Sequence, residues 1–571
     1  MIPGMDASSS VLVDVHPGAP TAPGSTVPLA EYLGRRLQQL GVGHLFGVPG
    51  DFTLDLLDGI TAVPGLRWVG SPNELGAGYA ADAYARSRGL AALFTTYGVG
   101  ELSAITAVAG SYAEDAAVVH VVGSPRMTAV AAGALVHHTL ADGRFDHFAR
   151  AAAEVTAAQE VVRLDRAPEQ IDAVLLTALT ERKPVYLSVP QDLALAPVPA
   201  APLAAPLVPR SDPAVLAELA DALAPLLAGA QRPVLQLGHL IARLGLGPAV
   251  QQLAERTGTP LVTHVSAKGV VDADHPLHAG DYAGSMLGEE PAVVTGADVV
   301  LHVGTVLTAE LTGFGTHRRP DAHTVQLGAA VALVGDRRFE RVLLADTLAL
   351  VDRLLPAGTP RPAGLREDRV GDEPADGELT QETFWAEFGR WLPPHTALLA
   401  ETGTAYWGAL GLRLPADTVF EGQPIWSAIG WALPAVLGQG LADPGRRPVL
   451  VIGDGAAQMT VQELGTIAAA GVAPVVVLLN NRGYTIERAL QSPDATYNDV
   501  ADWDWGAVLA AFGGPRGVHR AVTDRAGLRA ALAEAQATDA LVLLEVALDR
   551  YDAPPLLRRL AAHATGRPVP A

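Results

Sequence analysis

The stretch VIGDGAAQMTVQELGTIAAAGVAPVVVLLNNRGYTIE, from Val451 to Glu487, constrains the fold of this chain more than any other. Two continuous apolar runs rich in Val, Leu and Ile flank a segment long enough for one crossover helix. That is the pattern of neighbouring parallel strands buried on both faces. Each run stops abruptly at polar groups, Gly453-Asp454-Gly455 after the first and Asn480-Asn481-Arg482-Gly483 after the second. Open parallel sheets bind ligands outside the carboxyl ends of their strands, so both tips are expected to face a bound group.

Similar short apolar runs recur at 117–123, 233–238 and 297–304, alternating with helical patterns, and Pro-rich stretches at 193–213 and 356–378 divide them. At 571 residues the chain is too long for one core. The expected organisation is α/β with three doubly wound parallel-sheet domains: a disordered leader at 1–26, then domains at 27–195, 210–356 and 379–571, the last ending in a C-terminal helix. No internal repeat is visible from residue identity.

Composition closes off several classes. A net charge of −21 argues against nucleic-acid or anionic-membrane partners and suits a soluble cytoplasmic protein. With no cysteine, disulfides, thiolate metal sites and a cysteine nucleophile are excluded. No window approaches the ~20 apolar residues of a membrane span. The N-terminus has neither a basic region nor a sustained apolar stretch and does not read as a signal peptide, with Met5 a second candidate start.

What the two tips could hold follows from their donors. Asp454 and Asn481 are 27 positions apart (481 minus 454), about one strand-helix-strand return. A carboxylate, an amide oxygen and the backbone carbonyl of Gly483 make an oxygen-only set suited to Mg2+ or Ca2+ bridging phosphates. Gly453 and Gly455 let backbone approach closely, and a helix starting near Ala456 would aim free N–H groups at an anion. Together these groups describe a magnesium diphosphate site. Taken singly, Asp454 also reads as a helix cap and 480–483 as an ordinary turn; the pairing favours the site. The dinucleotide fingerprint and the P-loop are both absent here.

With these motifs the sequence resembles the thiamine diphosphate enzymes. FGVPGDFTLDLLD, NELGAGYAADAYAR, TTYGVGELSAITAVAGSYAED, HHTLADG, AETGTAYWGAL and NNRGYTIERALQSPDATYND are similar, in order and spacing, to the 2-oxo-acid decarboxylase branch, which includes pyruvate, indolepyruvate and branched-chain enzymes. The likeness runs from about Leu29 to Leu560. It implies that the first domain binds the cofactor's pyrimidine and the third its diphosphate, with Mg2+ at Asp454, Asn481 and Gly483. Pro49, Gly50, Val99 and Glu74 would lie along the pyrimidine, Glu74 on its N1' nitrogen. Ile429 would wedge the cofactor into its bent form, and Thr404, Gly453, Gly455, Ala456, Tyr484, Thr485 and Ile486 would complete the cradle. Ser427 stands where many relatives have Gly, and Ala456 where many have Ser. The first departure risks a clash, and the second loses a phosphate hydrogen bond worth about 1 kcal/mol.

Loss of CO2 leaves a carbon that must be protonated before the aldehyde departs, so proton carriers are required. Asp51, the adjacent His137 and His138, and Glu487 match the branch's four. An adjacent histidine pair alone reads more readily as surface residues; the surrounding motif reverses that. The resemblance places Tyr406, Trp407, Ile486, Leu560 and Ala564 at the substrate, where the cues conflict: bulky Trp407 would close the pocket and small Ala564 would open it. The stretches GQPIWSAIGWALPA and SPDATYNDVADWDW, similar to the branched-chain and indolepyruvate group, favour a branched-chain or aromatic 2-oxo acid over pyruvate. Pyruvate decarboxylation, acyloin-forming carboligation and a non-enzymatic scaffold are the rival readings. Glu310 reads first as a solvated loop carboxylate and second as a pocket residue. Since Glu74 and Asp454 lie on different segments that meet across chains in the family, the resemblance implies a homodimer as the smallest active unit and a homotetramer as the assembly.

Overall fold

The apolar runs form strands because β-branched side chains fill both faces of a buried sheet. In the computed structural model, which describes residues 24–284, 287, 291–317, 322–359 and 377–565, they assemble three sheets with helices on both faces. The protein is α/β, as the alternation predicts. Residues 1–23 of the leader, most of the 356–378 stretch and the last six residues lie outside the described part, and Thr26 already belongs to a strand.

The C-terminal sheet runs Val419–Glu421, Thr396–Ala400, Arg447–Gly453, Val475–Asn480, Val542–Ala547, Val518–Val522, all parallel. The N-terminal sheet runs Arg67–Gly70, His44–Gly47, Ala91–Thr96, Val118–Ser124, Val185–Pro190, Gln159–Val161, also all parallel. Numbered by chain order within each sheet, both read 2-1-3-4-6-5. The two outer units thus share one winding that residue identity does not reveal. Each has its switch point between its first and third strands, the place where such sheets bind ligands.

Two features differ from expectation. The middle sheet has five parallel strands, but it continues into an antiparallel hairpin, Val331–Val334 with Arg337–Glu340, turning at Gly335-Asp336. The Pro-rich 193–213 stretch contains a strand, Pro197–Pro199, paired with Thr26–Pro28. Pro lacks an N–H, but a two-stranded ribbon needs one only at alternate residues, and Val198 opposite Val27 keeps its own. Leu203 lies in the N-terminal core as well, so that unit's packing runs past 195.

The outer units share a core. Ala77, Ala80 and Ala81 on the helix Glu74–Arg88 pack with Ala432, Ala435 and Val436 on the helix Ala432–Ala442; small residues let the two backbones lie close. At one end of this contact the buried Arg86 meets Asp82 at 2.7 Å and Glu421 at 3.0 Å, and lies 4.5 Å over the Trp431 ring. Removing Arg86 would strip buried Asp82 of its cation and leave Glu421 only the more distant Arg243 at 3.9 Å, a change that costs roughly 3–5 kcal/mol for a buried pair. The middle unit joins through His239, whose Nε2 lies 2.8 Å from Asp115.

Candidate active site

Asp454 opens the helix Asp454–Thr460 directly after its strand, and Asn481 follows the neighbouring strand by one residue, so sheet pairing alone sets them side by side. Asp454 is buried. Its carboxylate accepts from Gly455 N–H at 2.9 Å and Gly483 N–H at 3.1 Å. The two asparagines divide the work: Asn480 donates to Glu545 at 2.7 Å, whereas Oδ1 of buried Asn481 has no hydrogen-bond partner among the described residues. Such an orphaned acceptor is costly unless something else meets it. Among the described residues, no heavy atom other than those of Gly453 and its two chain neighbours lies within 4 Å of where a Cβ would stand at Gly453. A buried carboxylate, an unpartnered amide oxygen and open space at the helix start fit a divalent cation carrying a phosphate group. Burial pushes the Asp454 carboxyl up to about 6 despite those N–H donors, so a nearby cation would restore its charge.

Arg488, a residue the sequence reading passed over, shapes this loop. Its buried guanidinium donates to the carbonyls of Asn481 at 3.2 Å, Arg482 at 2.8 Å and Asn498 at 3.2 Å, and to Asp499 at 2.8 Å. Gly483 has φ +147, and a Cβ there would stand 2.0 Å from the Asn498 oxygen, so no other residue fits the turn.

The segment carrying Ile429 is pinned at several points. Glu114, from the N-terminal unit, accepts from Ile425 N–H at 2.7 Å and Trp426 N–H at 2.9 Å. Gln423 accepts from Ala428 N–H at 3.0 Å. Glu401, fully buried, accepts from Gly430 and Ala432 N–H at 3.0 Å each and from Thr402 N–H at 2.9 Å. Burial pushes the Glu401 carboxyl up to about 7. Neither Glu114 nor Glu401 was identified from sequence. Ile429 itself is half-buried against the shared core. Ser427 has φ +57, a left-handed conformation that glycine adopts without the steric cost.

At the N-terminal switch point, Pro49 and Gly50 follow one strand and Val99 opens the helix after another; Pro49 and Val99 are exposed. Glu74 starts the helix capped by Asn73, half-buried, with its Oε1 3.3 Å from where a Cβ would stand on Gly100. The histidine pair joins Asp51: His137 Nε2 lies 2.8 Å from Asp51 Oδ2, and the two imidazoles are 4.5 Å apart, centre to centre. Phe52 stacks on His137 at 4.8 Å.

Glu487 is exposed in the first turn of the helix Thr485–Leu490. Ile486 and Trp407 are half-buried against the cluster that buries Tyr406 and Leu560. Thr404 and Thr485 are buried, with Thr485 donating to the Arg550 carbonyl at 2.8 Å. The Tyr406 ring stacks on Phe420 at 5.9 Å, and its hydroxyl is buried without a partner among the described residues. Ala456 is buried, Tyr484 is half-buried and Ala564 is exposed. Glu310 begins a short turn, and its side chain lies outside the described part.

Two clusters emerge, one at each sheet's tips. Among the described residues, no hydrogen bond, ion pair or ring contact links Asp51, Glu74, His137 or His138 to Asp454, Asn481 or Glu487.

Comparison with known proteins places these clusters. Residues 28–148 match the N-terminal TPP binding domain of thiamine pyrophosphate enzymes, residues 220–354 their central domain and residues 402–546 their C-terminal TPP binding domain. The chain is 40% identical over 555 residues to an alpha-keto-acid decarboxylase of Mycobacterium ulcerans (strain Agy99), covering 95% of this chain and 96% of that one. It is 40% identical over 553 residues to one of Mycobacterium tuberculosis (strain ATCC 25618 / H37Rv), covering 93% and 96%. In fold it is similar to the thiamine diphosphate-dependent 4-hydroxybenzoylformate decarboxylase of Rhodococcus jostii RHA1, with TM-score 0.74 and 22% identity over 91% of this chain and 99% of that one. With its two site halves on matching cofactor-binding domains, the chain belongs to the thiamine diphosphate-dependent alpha-keto-acid decarboxylase family.

Proposed function

We propose that this enzyme converts a branched-chain or aromatic 2-oxo acid to CO2 and the corresponding aldehyde, using thiamine diphosphate anchored through Mg2+. The observation that carries the anchoring is the unpartnered Asn481 oxygen beside buried Asp454. Asp454, Asn481 and the Gly483 carbonyl would hold the cation, and Gly455, Ala456 and the helix start would meet the diphosphate. When bound, thiamine diphosphate supplies the nucleophilic carbon and accepts the electron pair released as CO2 leaves.

The chain's own residues do the rest. Glu74 holds a proton opposite the pyrimidine. Ile429, braced by Glu401 and Glu114, would press against the bound cofactor and hold its orientation. The Asp51–His137 pair with His138 stores and delivers the proton the product carbon needs, and Glu487 serves from the other half. Trp407, Ile486 and Leu560 offer apolar contact to a larger side chain. Joining Glu74 to Asp454 across two chains makes a dimer the smallest active unit, and such dimers pair into tetramers.

The test is CO2 release from pyruvate, 2-oxoisovalerate, 2-oxoisocaproate, phenylpyruvate and indolepyruvate under identical conditions. Higher kcat/KM for the larger acids is expected. One buried methylene is worth ~1–3 kcal/mol, so a preference of about tenfold or more should be visible. Pyruvate as the best substrate would refute the preference and point to Trp407 as the group closing the pocket.

A further inference from the structure

We infer that Asp51, His137 and His138 form a second metal site, selective for borderline divalent transition metals of the Zn2+ type, whose occupation silences the enzyme. One ligating atom from each of the three residues lies within 4.8 Å of the others. Tetrahedral Zn2+ with bonds of 2.0–2.2 Å needs donors roughly 3.4 Å apart. Asp51 Oδ2 and His137 Nε2 lie 2.8 Å apart, so a metal between them requires the exposed Asp51 side chain to turn slightly outward.

The surrounding structure holds the three donors on one side. Asp51 opens a short turn locked at both ends by Thr53, whose hydroxyl accepts from Gly50 N–H at 3.0 Å and donates to the Gly50 carbonyl at 2.7 Å. Phe52, stacked on His137, fixes that ring. His138 adopts φ +60, a left-handed turn costly for a non-glycine residue, and one that swings its ring back beside its neighbour's. Gly98 allows this turn to close, since a Cβ there would stand 2.0 Å from the His138 carbonyl oxygen. The outcome is a buried His138 Nδ1 with no hydrogen-bond partner among the described residues.

Donor chemistry then sorts metals between two sites. Two imidazoles and one carboxylate suit Zn2+, Co2+, Ni2+ or Cu2+, whereas the all-oxygen set at Asp454 and Asn481 suits Mg2+. Three protein ligands leave one position open for water. The chain contains no cysteine, so poisoning by such metals has no thiolate to act through. A metal on these nitrogens removes the lone pairs that hold and deliver protons. Binding itself does not depend on the proposed reaction; only the inhibition does.

The test uses untagged holoenzyme loaded with thiamine diphosphate and Mg2+, titrated with Co2+. Expected is the strong visible band of four- or five-coordinate Co2+ at one equivalent, in contrast to the weak absorption of six-coordinate Co2+, with displacement by Zn2+ and a parallel loss of activity. Asp51→Asn and His138→Gln should each weaken Co2+ binding at least about tenfold, the least that even outer-shell partners cost. His147→Gln, which removes the neighbouring His147–Asp142 pair at 2.7 Å, should leave the band intact. If His138→Gln fails to fold, exposed His137→Gln gives the same reading. Absence of the band, or its persistence in both ligand variants, overturns the inference. Binding without inhibition would leave the metal site standing and count against the proton role of these residues.

Discussion

Buried Glu401 accepts a hydrogen bond from Gly430 N–H at 3.0 Å, tying the end of one strand of the C-terminal sheet to the segment that carries Ile429. The same oxygen takes Ala432 N–H, and the other takes Thr402 N–H. In Glu401→Gln one of these oxygens becomes an NH2 facing N–H donors, which leaves at least one buried donor unmet at about 1–3 kcal/mol. The variant should melt lower and hold thiamine diphosphate less tightly, as thermal unfolding with and without cofactor would show. An unchanged melt and unchanged cofactor affinity would refute this positioning role.

The cofactor cation should bind with a pH dependence set by Asp454. Its carboxyl is raised from 3.8 to about 6 by burial, so below that pH a cation must displace a proton. Apparent Mg2+ affinity should fall about tenfold per pH unit below about 6 and level off above it. The cofactor-free protein should behave oppositely, since stabilisation from the neutral carboxyl is present below 3.8 and lost as pH rises through about 6. Calorimetric titration between about pH 5 and pH 8 checks the first effect; a flat profile would contradict it.

The pairing of Asp454 with Asn481 was legible because it is local. Asp454 and Asn481 sit at the ends of adjacent strands, and apolar runs with polar stops announce such ends directly. Arg488 and Glu401 were illegible for the opposite reason. A basic residue in an amphipathic helix and an acid beside Thr-Gly read as solvated, and only the folded chain reveals that each is buried among backbone groups supplied by other segments. The antiparallel hairpin did carry a signal, Gly335-Asp336 between two β-prone runs. The shared winding of the outer sheets carried none, because topology constrains strand order without constraining residue identity.

Ser427 pays for its left-handed φ of +57 where glycine would not. Relief of that strain, about 1–2 kcal/mol, exceeds the entropy cost of glycine, about 0.5–1 kcal/mol. Ser427→Gly should therefore raise the denaturation midpoint modestly. A lowered midpoint would show that the hydroxyl, 3.4 Å from the Pro424 carbonyl, matters more than the backbone.

If Glu74 and Asp454 complete one another across two chains, two dead variants should rescue each other. Mixed dimers of Glu74→Gln and Asp454→Ala contain one site with both defects and one with neither. Co-expression at equal levels should restore about a quarter of wild-type activity, half of the dimers each having one working site. No activity in the mixture would place both residues in a site built within one chain.

The most direct measurement strips the enzyme of cofactor and metal, then follows CO2 and aldehyde from 2-oxoisocaproate as thiamine diphosphate and Mg2+ are returned singly and together. Turnover should appear only with both, at equal yields of CO2 and aldehyde, and should fail to return in Asp454→Ala at cofactor levels that restore the wild type. Full turnover without thiamine diphosphate, or full restoration of Asp454→Ala at those same levels, would contradict the reading of the Asp454–Asn481 tips as the cofactor's anchor.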